Sequence, residues 1–361
     1  MIRRLVKSGL AGGMRWSGAS LLKRTLRHRS GAPWIAGYHR VVEDFRRSSE
    51  NSIAATLISR GMLERHLEWI GRRFDFVSLD DIGSRLERGQ RPRRPLAAVT
   101  FDDGYSDVYE HAFPILRRRG IPAAVFVLTD LVGTSRVPLF DWLYLLLDRA
   151  WKVWPSPMQG LARIFADLGL EMVATDGTPD ASPGPLRIMR ILLETLPQSP
   201  LERLASALQA EVGVEECVQD ERRPLTWEML VEMQRAGITI GSHSRTHPLL
   251  TREDREKILE ETAGSKRDLE ARLGITVRHF AYPNGWFNAA TVRAVEAAGY
   301  RCAYTSCRHR DPAHPLLTLS RTLLWENSGL GAFGGFSPAV MGCQADGTFD
   351  RVALCPLDHW N

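Results

Sequence analysis

The chain has 361 residues, 44% of them hydrophobic, which is enough to bury a full-sized core, and one barrel-type domain with additions accounts for the length. The net charge is +5, but residues 1–30 carry Arg3, Arg4, Lys7, Arg15, Lys23, Arg24, Arg27 and Arg29 with no acid, a local +8 that leaves the remainder at −3. A nucleic-acid binder needs its positive surface on the folded body, so no nucleic-acid partner is expected; with no run of about 18 apolar residues, no spanning helix is expected either.

Residues 1–30 form a basic N-terminal arm. It lacks the continuous apolar stretch and small-residue cleavage site of a signal peptide, although Leu5, Val6, Leu10, Met14, Leu21, Leu22 and Leu26 are interleaved with its charges. Such a segment suits peripheral contact with an anionic membrane, at the inner face of a cytoplasmic protein's membrane. Gly9, Gly12, Gly13 and Gly18 weaken any helix there and leave a disordered or simply packed arm equally open. The five cysteines, Cys217, Cys302, Cys307, Cys343 and Cys355, are odd in number and scattered, as expected of reduced thiols rather than a disulfide framework. Cys302 and Cys307 stand too far apart for a tight Cys-x-x-Cys zinc pattern.

From residue 31 to about 330 the pattern alternates strand and helix. Pro33 to Val41 contains a first strand ending in Tyr38-His39; Met62 to Arg72 has helical spacing; Phe74 to Leu79 reads as a strand. Leu96 to Phe101 is a buried strand, Val108 to Arg119 a helix ending at Gly120, and Ile121 to Leu128 a strand again. An insertion of about residues 131–225 interrupts the alternation: Phe140 to Leu147 begins an apolar helix, Thr175 to Pro185 is a Gly/Pro/Asp-rich loop, and Leu186 to Leu208 is helical with a Pro-Gln-Ser-Pro break. The alternation then resumes with a helix at Thr226 to Ala236, a strand at Gly237 to Ser242, and a long charged helix from Thr251 to Leu273 with Asp254 in the capping-box position. Val277 to Tyr282 is a strand, Asn288 to Ala298 a helix, Tyr300 to Thr305 a strand; residues 331–361 form a Gly- and Pro-rich tail. That order predicts an α/β fold with parallel strands and helical crossovers.

Two segments carry the chemistry. The strand Leu96 to Phe101 delivers Asp102 and Asp103 to its C-terminal end, where the active sites of barrels and open α/β sheets lie. Successive strand residues point opposite ways, so as the chain turns at Gly104 one carboxylate can face a metal while the other stays uncoordinated. The strand ending at Ser242 delivers His243, and one turn of chain brings His247 beside it before Pro248. Taken alone, an Asp-Asp-Gly segment is more often just a strand-ending turn, and a His-x-x-x-His pair a solvated helix face or a satisfied core pair. Together, two imidazoles and one carboxylate make a three-ligand site for a borderline cation such as zinc, with positions left open and a free carboxylate to serve as base.

Thr100-Phe101-Asp102-Asp103-Gly104-Tyr105 and His243-Ser244-Arg245-Thr246-His247 resemble the first two motifs of the polysaccharide deacetylases of carbohydrate esterase family 4, the group with the NodB homology domain. The resemblance runs from about Tyr38 to about Arg321. It implies an irregular (β/α) barrel of the NodB type with a helical insertion. It also implies Asp102 as general base, with Asp103, His243 and His247 holding one divalent ion, zinc first. The implied activity is hydrolysis of the N-acetyl group of an amino sugar in a polysaccharide or glycan. Two departures stand out. Ala281, in Phe280-Ala281-Tyr282-Pro283-Asn284-Gly285, stands where the family places a base-orienting arginine, and after residue 315 a Leu-x-His occurs only as Leu357-Asp358-His359, in the last five residues of the sequence. Tyr38-His39 is similar to the exopolysaccharide branch, whose permuted barrel carries the acid histidine on an N-terminal strand, which implies His39 as the acid. Arg321 is the candidate substitute for the arginine. The Tyr105 N–H is a candidate oxyanion donor, and Tyr282, Pro283, Trp286 and Phe287 are candidates for the sugar site, although the aromatics equally suit a core. An O-deacetylase, a deacylase of a lipid-linked sugar and a silent carbohydrate-binding module are the rival readings.

Overall fold

The computed structural model describes residues 2–16, 32–171, 183–214, 222–349 and 359. The strands in chain order are β1 (Trp34–Tyr38), β2 (Arg40–Val42), β3 (Leu57–Ser59), β4 (Asp75–Phe76), β5 (Leu96–Phe101), β6 (Ala123–Val127), β7 (Thr239–Ser242), β8 (His279–Ala281), β9 (Cys302–Thr305), β10 (Leu319–Ser320) and β11 (Thr322–Leu323). Strands β2 and β3 pair with each other; the rest form one sheet ordered β10-β9-β8-β7-β6-β5-β1-β11, with β4 beside β5. Every pairing between these strands is parallel. The run Leu319 to Leu323 pairs with β9 through its first half and with β1 through its second. The Arg321 N–H donates to the Thr305 carbonyl and the Leu324 N–H to that of Gly37, so one stretch of chain joins both edges and nearly closes a barrel.

A parallel sheet is buried on both faces, and the strand sequences obey this: all six residues of β5 and all five of β1 and β6 are buried. Alternation sorts them. Ile35, Ala98, Ala124, Phe126, Ala281, Tyr304 and Leu319, drawn from strands all round the barrel, pack together in its interior. Ala36, Val99, Val125, Ile240 and Phe280 face the larger core under the surrounding helices. Gly241 is required by the interior packing, because a Cβ there would lie 2.6 Å from the Phe126 ring. The same alternation carries His39, Asp102, His243 and Arg321 inward at the C-terminal ends of their strands.

The insertion between β6 and β7 folds as helices Leu139–Val153, Pro157–Asp167, Pro185–Thr195 and Gln198–Val212 around a core of its own that includes Leu143, Leu146, Phe165, Leu204 and Leu208. The sequence led us to expect one broken helix over Leu186 to Leu208; the break falls at Leu196-Pro197, and Pro200 is accommodated in the first turn of the second helix.

Other differences from expectation lie at element ends, where side-chain capping outcompetes apolar pattern. Phe74 to Leu79 contributes only β4 as strand, since the Ser78 hydroxyl accepts from the Asp81 N–H and starts a helix, Leu79–Glu87. The helix expected from Thr251 begins after Asp254, whose carboxylate accepts from the Lys257 N–H, and it passes through a π-turn at Glu260–Gly264. Ile2–Trp16 is helical despite Gly9, Gly12 and Gly13. Ala11 packs on Val340 and Cys343 of a tail helix, Pro338–Ala345, so tertiary contact outweighs the propensity cost. Residues 17–30 of the arm, residues 175–182 of the Gly/Pro-rich loop, Cys217 and Cys355 lie outside the described residues. Cys302, Cys307 and Cys343 form no disulfide. Among the described residues no helix is long and apolar enough to cross a membrane.

Candidate active site

Asp103, His243 and His247 converge, with one donor atom of each lying within 4.8 Å of the others. The two imidazole Nε2 atoms are 3.4 Å and 3.6 Å from Asp103 Oδ1, which no hydrogen-bond donor among the described residues reaches. Positive φ at Asp103 (70°) breaks the strand alternation after β5, so both carboxylates turn into the same space. Gly104 follows, also at positive φ (71°), against Val127. The His243–His247 loop is similarly strained, with positive φ at Ser244 and His247. Its geometry is held by the buried Glu261, whose carboxylate accepts from the N–H groups of Arg245 and Thr246 and from the Thr246 hydroxyl.

The donor set fits a divalent ion. His243 Nδ1 lies 2.7 Å from the Ala281 carbonyl, the arrangement in which a ligating histidine donates from one nitrogen and keeps the other lone pair for the metal. Burial pushes the His243 imidazolium down to about 4 against the pull of Asp102, and burial with His243 beside it puts His247 well below its usual range, so both rings are neutral, as ligands must be. Burial, then the neighbouring carboxylates of Asp102 and Asp141, push Asp103 far up. A carboxylate hemmed in by others, with one oxygen unmet, is what a cation would stabilise.

Asp102 has a different partner. Arg321 Nη1 donates to its Oδ1 at 2.6 Å and Nη2 to its Oδ2 at 2.7 Å, a two-point grip in which both residues are below 5% exposed. Arg321 Nη1 also donates to the Thr100 hydroxyl, and its guanidinium lies over the Phe126 ring. Burial alone would raise the Asp102 carboxyl, but Arg321 and His243 outweigh it and hold it at about 2. The guanidinium therefore reaches Asp102 from the strand run that closes the barrel, not from the position of Ala281 on β8. His39, between β1 and β2, is half-buried and feels Asp102, Arg321 and Asp141; burial lowers its pKa, while the two carboxylates oppose that.

The remaining expected residues divide. The Tyr105 hydroxyl donates to Asp141 at 2.7 Å and its ring lies under Arg40, so its side chain is committed to the protein. Tyr282 does not face a sugar site: its ring is wholly buried, edge-on to Phe280 and tilted on Phe287, inside the main core. Phe287 is core as well, and Pro283 is buried in the turn after β8. Trp286 is half-buried.

Sequence reasoning did not single out the residues by which the insertion reaches the site. Phe140 packs its ring 4.8 Å from that of His247, and Asp141, 3% exposed, sits between Tyr105 and Arg222. A single acid at the start of the apolar run Phe140 to Leu147 was the available signal. Asp107, which accepts from the Arg40 side chain and the Val41 N–H, anchors the strand that follows His39 and carried no sequence signal of its own.

Comparison with known proteins agrees with this geometry. Residues 89–169 and 202–303 match the polysaccharide deacetylase family. The chain is 27% identical over 128 residues to the poly-beta-1,6-N-acetyl-D-glucosamine N-deacetylase of Staphylococcus aureus (strain N315), a match covering 33% of this chain and 44% of that protein. The chain thus spans less than half of that relative. Among solved structures, Streptococcus pyogenes deacetylase PplD in complex with acetate is similar in fold, with a TM-score of 0.54 and 17% identity over 87% of this chain and 97% of that one. IcaB from Ammonifex degensii aligns with a TM-score of 0.53 and 18% identity over the same shares. With its motifs, barrel and site in agreement, the chain belongs to the polysaccharide deacetylase family.

Proposed function

We propose that this protein is a metal-dependent deacetylase that hydrolyses the N-acetyl group of an amino sugar within a glycan. The observation that carries the proposal is the convergence of Asp103, His243 and His247 around a buried, unmet carboxylate oxygen, beside a second carboxylate gripped by Arg321. A divalent ion held by those three residues, zinc first, would supply Lewis acidity to the substrate carbonyl and acidify a water. Asp102, kept ionised and fixed in plane by Arg321, accepts the proton from the attacking water. The Tyr105 N–H offers a donor to the oxyanion, and His39 protonates the departing amine nitrogen. Trp286 offers an aromatic face to the sugar.

The Arg321–Asp102 pair weighs against a silent carbohydrate-binding module, since a binding site has no need of a buried, oriented base. The test is acetate release from N-acetylglucosamine oligomers and from a lipid-linked N-acetyl sugar by metal-loaded protein. Release from the oligomers supports the proposal, release from the lipid-linked sugar alone moves the substrate class, and release from neither refutes it. The proposal extends to peripheral contact with an anionic membrane at its cytoplasmic face, because helix Ile2–Trp16 exposes Leu5, Val6 and Leu10 beside Lys7.

A further inference from the structure

A second cluster of side chains that could hold a metal shares no residue with the Asp103 site. Cys307 follows β9 by two residues, His309 follows Cys307 by two more, and His359 comes from the end of the chain; one donor atom of each lies within 4.8 Å of the others. Cys307 Sγ is 3.5 Å from His359 Nε2. In a tetrahedral zinc site with Zn–S near 2.3 Å and Zn–N near 2.0–2.1 Å, sulfur and nitrogen ligands stand about 3.5 Å apart. The His359 ring is 1% exposed, stacked on Phe287 at 4.2 Å between ring centres, with the His309 ring 4.6 Å away.

The orientation of His359 is the second, independent observation. Its Nδ1 lies 2.8 Å from the Phe287 carbonyl, which fixes the tautomer with Nδ1–H donating and leaves the Nε2 lone pair directed at Cys307. That is the outer hydrogen bond a ligating histidine makes, and His243 repeats it on the Ala281 carbonyl. A thiol–imidazole hydrogen bond would explain the Cys307–His359 pair but not the presence of His309. His309 is exposed, so burial does not force its ring against the other two.

We propose that Cys307, His309 and His359 form a second divalent-cation site, of zinc type, that ties the end of the chain to the barrel rim between the turns after β8 and β9. Cys307 binds as the thiolate, so its proton is released to solvent as the ion enters; the two imidazoles bind neutral, and one coordination position is left for water. A thiolate with two imidazoles selects zinc or its analogues over magnesium and calcium, which prefer oxygen.

The site differs from the Asp103 cluster in containing sulfur, which gives a readout independent of catalysis. The full chain, stripped of metal with a chelator, is titrated with Co²⁺ while the near-ultraviolet thiolate-to-cobalt charge-transfer absorption is followed. The expected result is a band that is complete by about two equivalents in the parent, one for each cluster, is abolished in Cys307→Ser and saturates at about one equivalent in Asp103→Ala. His309→Ala, an exposed change that leaves the fold intact, should weaken the Co²⁺ affinity read from the band by about tenfold or more. Absence of the band in the unaltered protein, its survival in Cys307→Ser, or unchanged affinity in His309→Ala would each overturn the proposal. None of these outcomes depends on whether the protein releases acetate.

Discussion

At the scale of single residues, the central relation is that of two adjacent carboxylates with opposite fates. Asp102 is paired to a guanidinium and held at about 2, while Asp103 is surrounded by acids and pushed up. Arg321→Ala would leave a buried Asp102 charge without its partner, and removing one member of such a pair costs about 3–5 kcal/mol of stability, measurable by denaturant unfolding. Without the guanidinium, burial also raises the Asp102 carboxyl, so the acid limb of the rate profile should move to higher pH. Arg321→Lys keeps charge but loses the two-point grip, and it should recover stability better than rate. An unchanged acid limb in both variants would show that Arg321 does not act on the base. His39 is tested by leaving group. A positioned acid is worth ~100- to 10,000-fold, so His39→Ala should slow amide hydrolysis by about that factor and an activated ester much less. Equal loss on both substrates would remove His39 from the acid role.

At the scale of elements, the site depends on how turns are made after strands. Gly285, at positive φ after β8, would place a Cβ 2.1 Å from Ser306 Oγ and 2.3 Å from its backbone nitrogen. Gly285→Ala therefore combines left-handed strain with overpacking between the turns after β8 and β9, together about 2–5 kcal/mol, to be read as a lowered denaturation midpoint. A midpoint unchanged from the parent would mean that the two turns separate freely. The strand runs that carry Asp102 and His243 were legible because an apolar run followed by a turn admits few other readings. Tyr282 was not, since an aromatic beside a strand end has the same pattern whether it faces a ligand or, as here, Phe280 and Phe287. The strand expected over Phe74 to Leu79 gives way to a helix capped by Ser78, and the helix expected from Thr251 is capped by Asp254 instead, because capping is decided by a single hydrogen bond, which hydrophobic periodicity does not register.

At the scale of the whole molecule, the barrel was readable from the alternation of strand and helix, whereas its closure was not. Leu319 to Leu323 carries too short an apolar pattern to announce that it joins both edges and swings Arg321 across to Asp102. The insertion was visible as a break in pattern, but its contacts, Phe140 with His247 and Asp141 with Tyr105, are long-range and left only the lone acid as a sign. For the N-terminal helix, Ala11 packs against the tail, so truncation would expose core and is a poor test of membrane contact. Leu5→Ser, Val6→Ser and Leu10→Ser together should instead weaken sedimentation with anionic vesicles without unfolding the body; vesicle binding equal to that of the parent would make the helix purely structural. The central claim is that one carboxylate holds the metal and its neighbour performs the chemistry. The most direct measurement is the loss of divalent-ion content caused by each variant, with acetate release assayed on the same samples. Asp102→Asn should lose no ion yet release acetate at least ~100-fold more slowly, while Asp103→Ala should lose one ion per chain as well as activity. Loss of the ion in Asp102→Asn, or full ion content in Asp103→Ala, would contradict that claim.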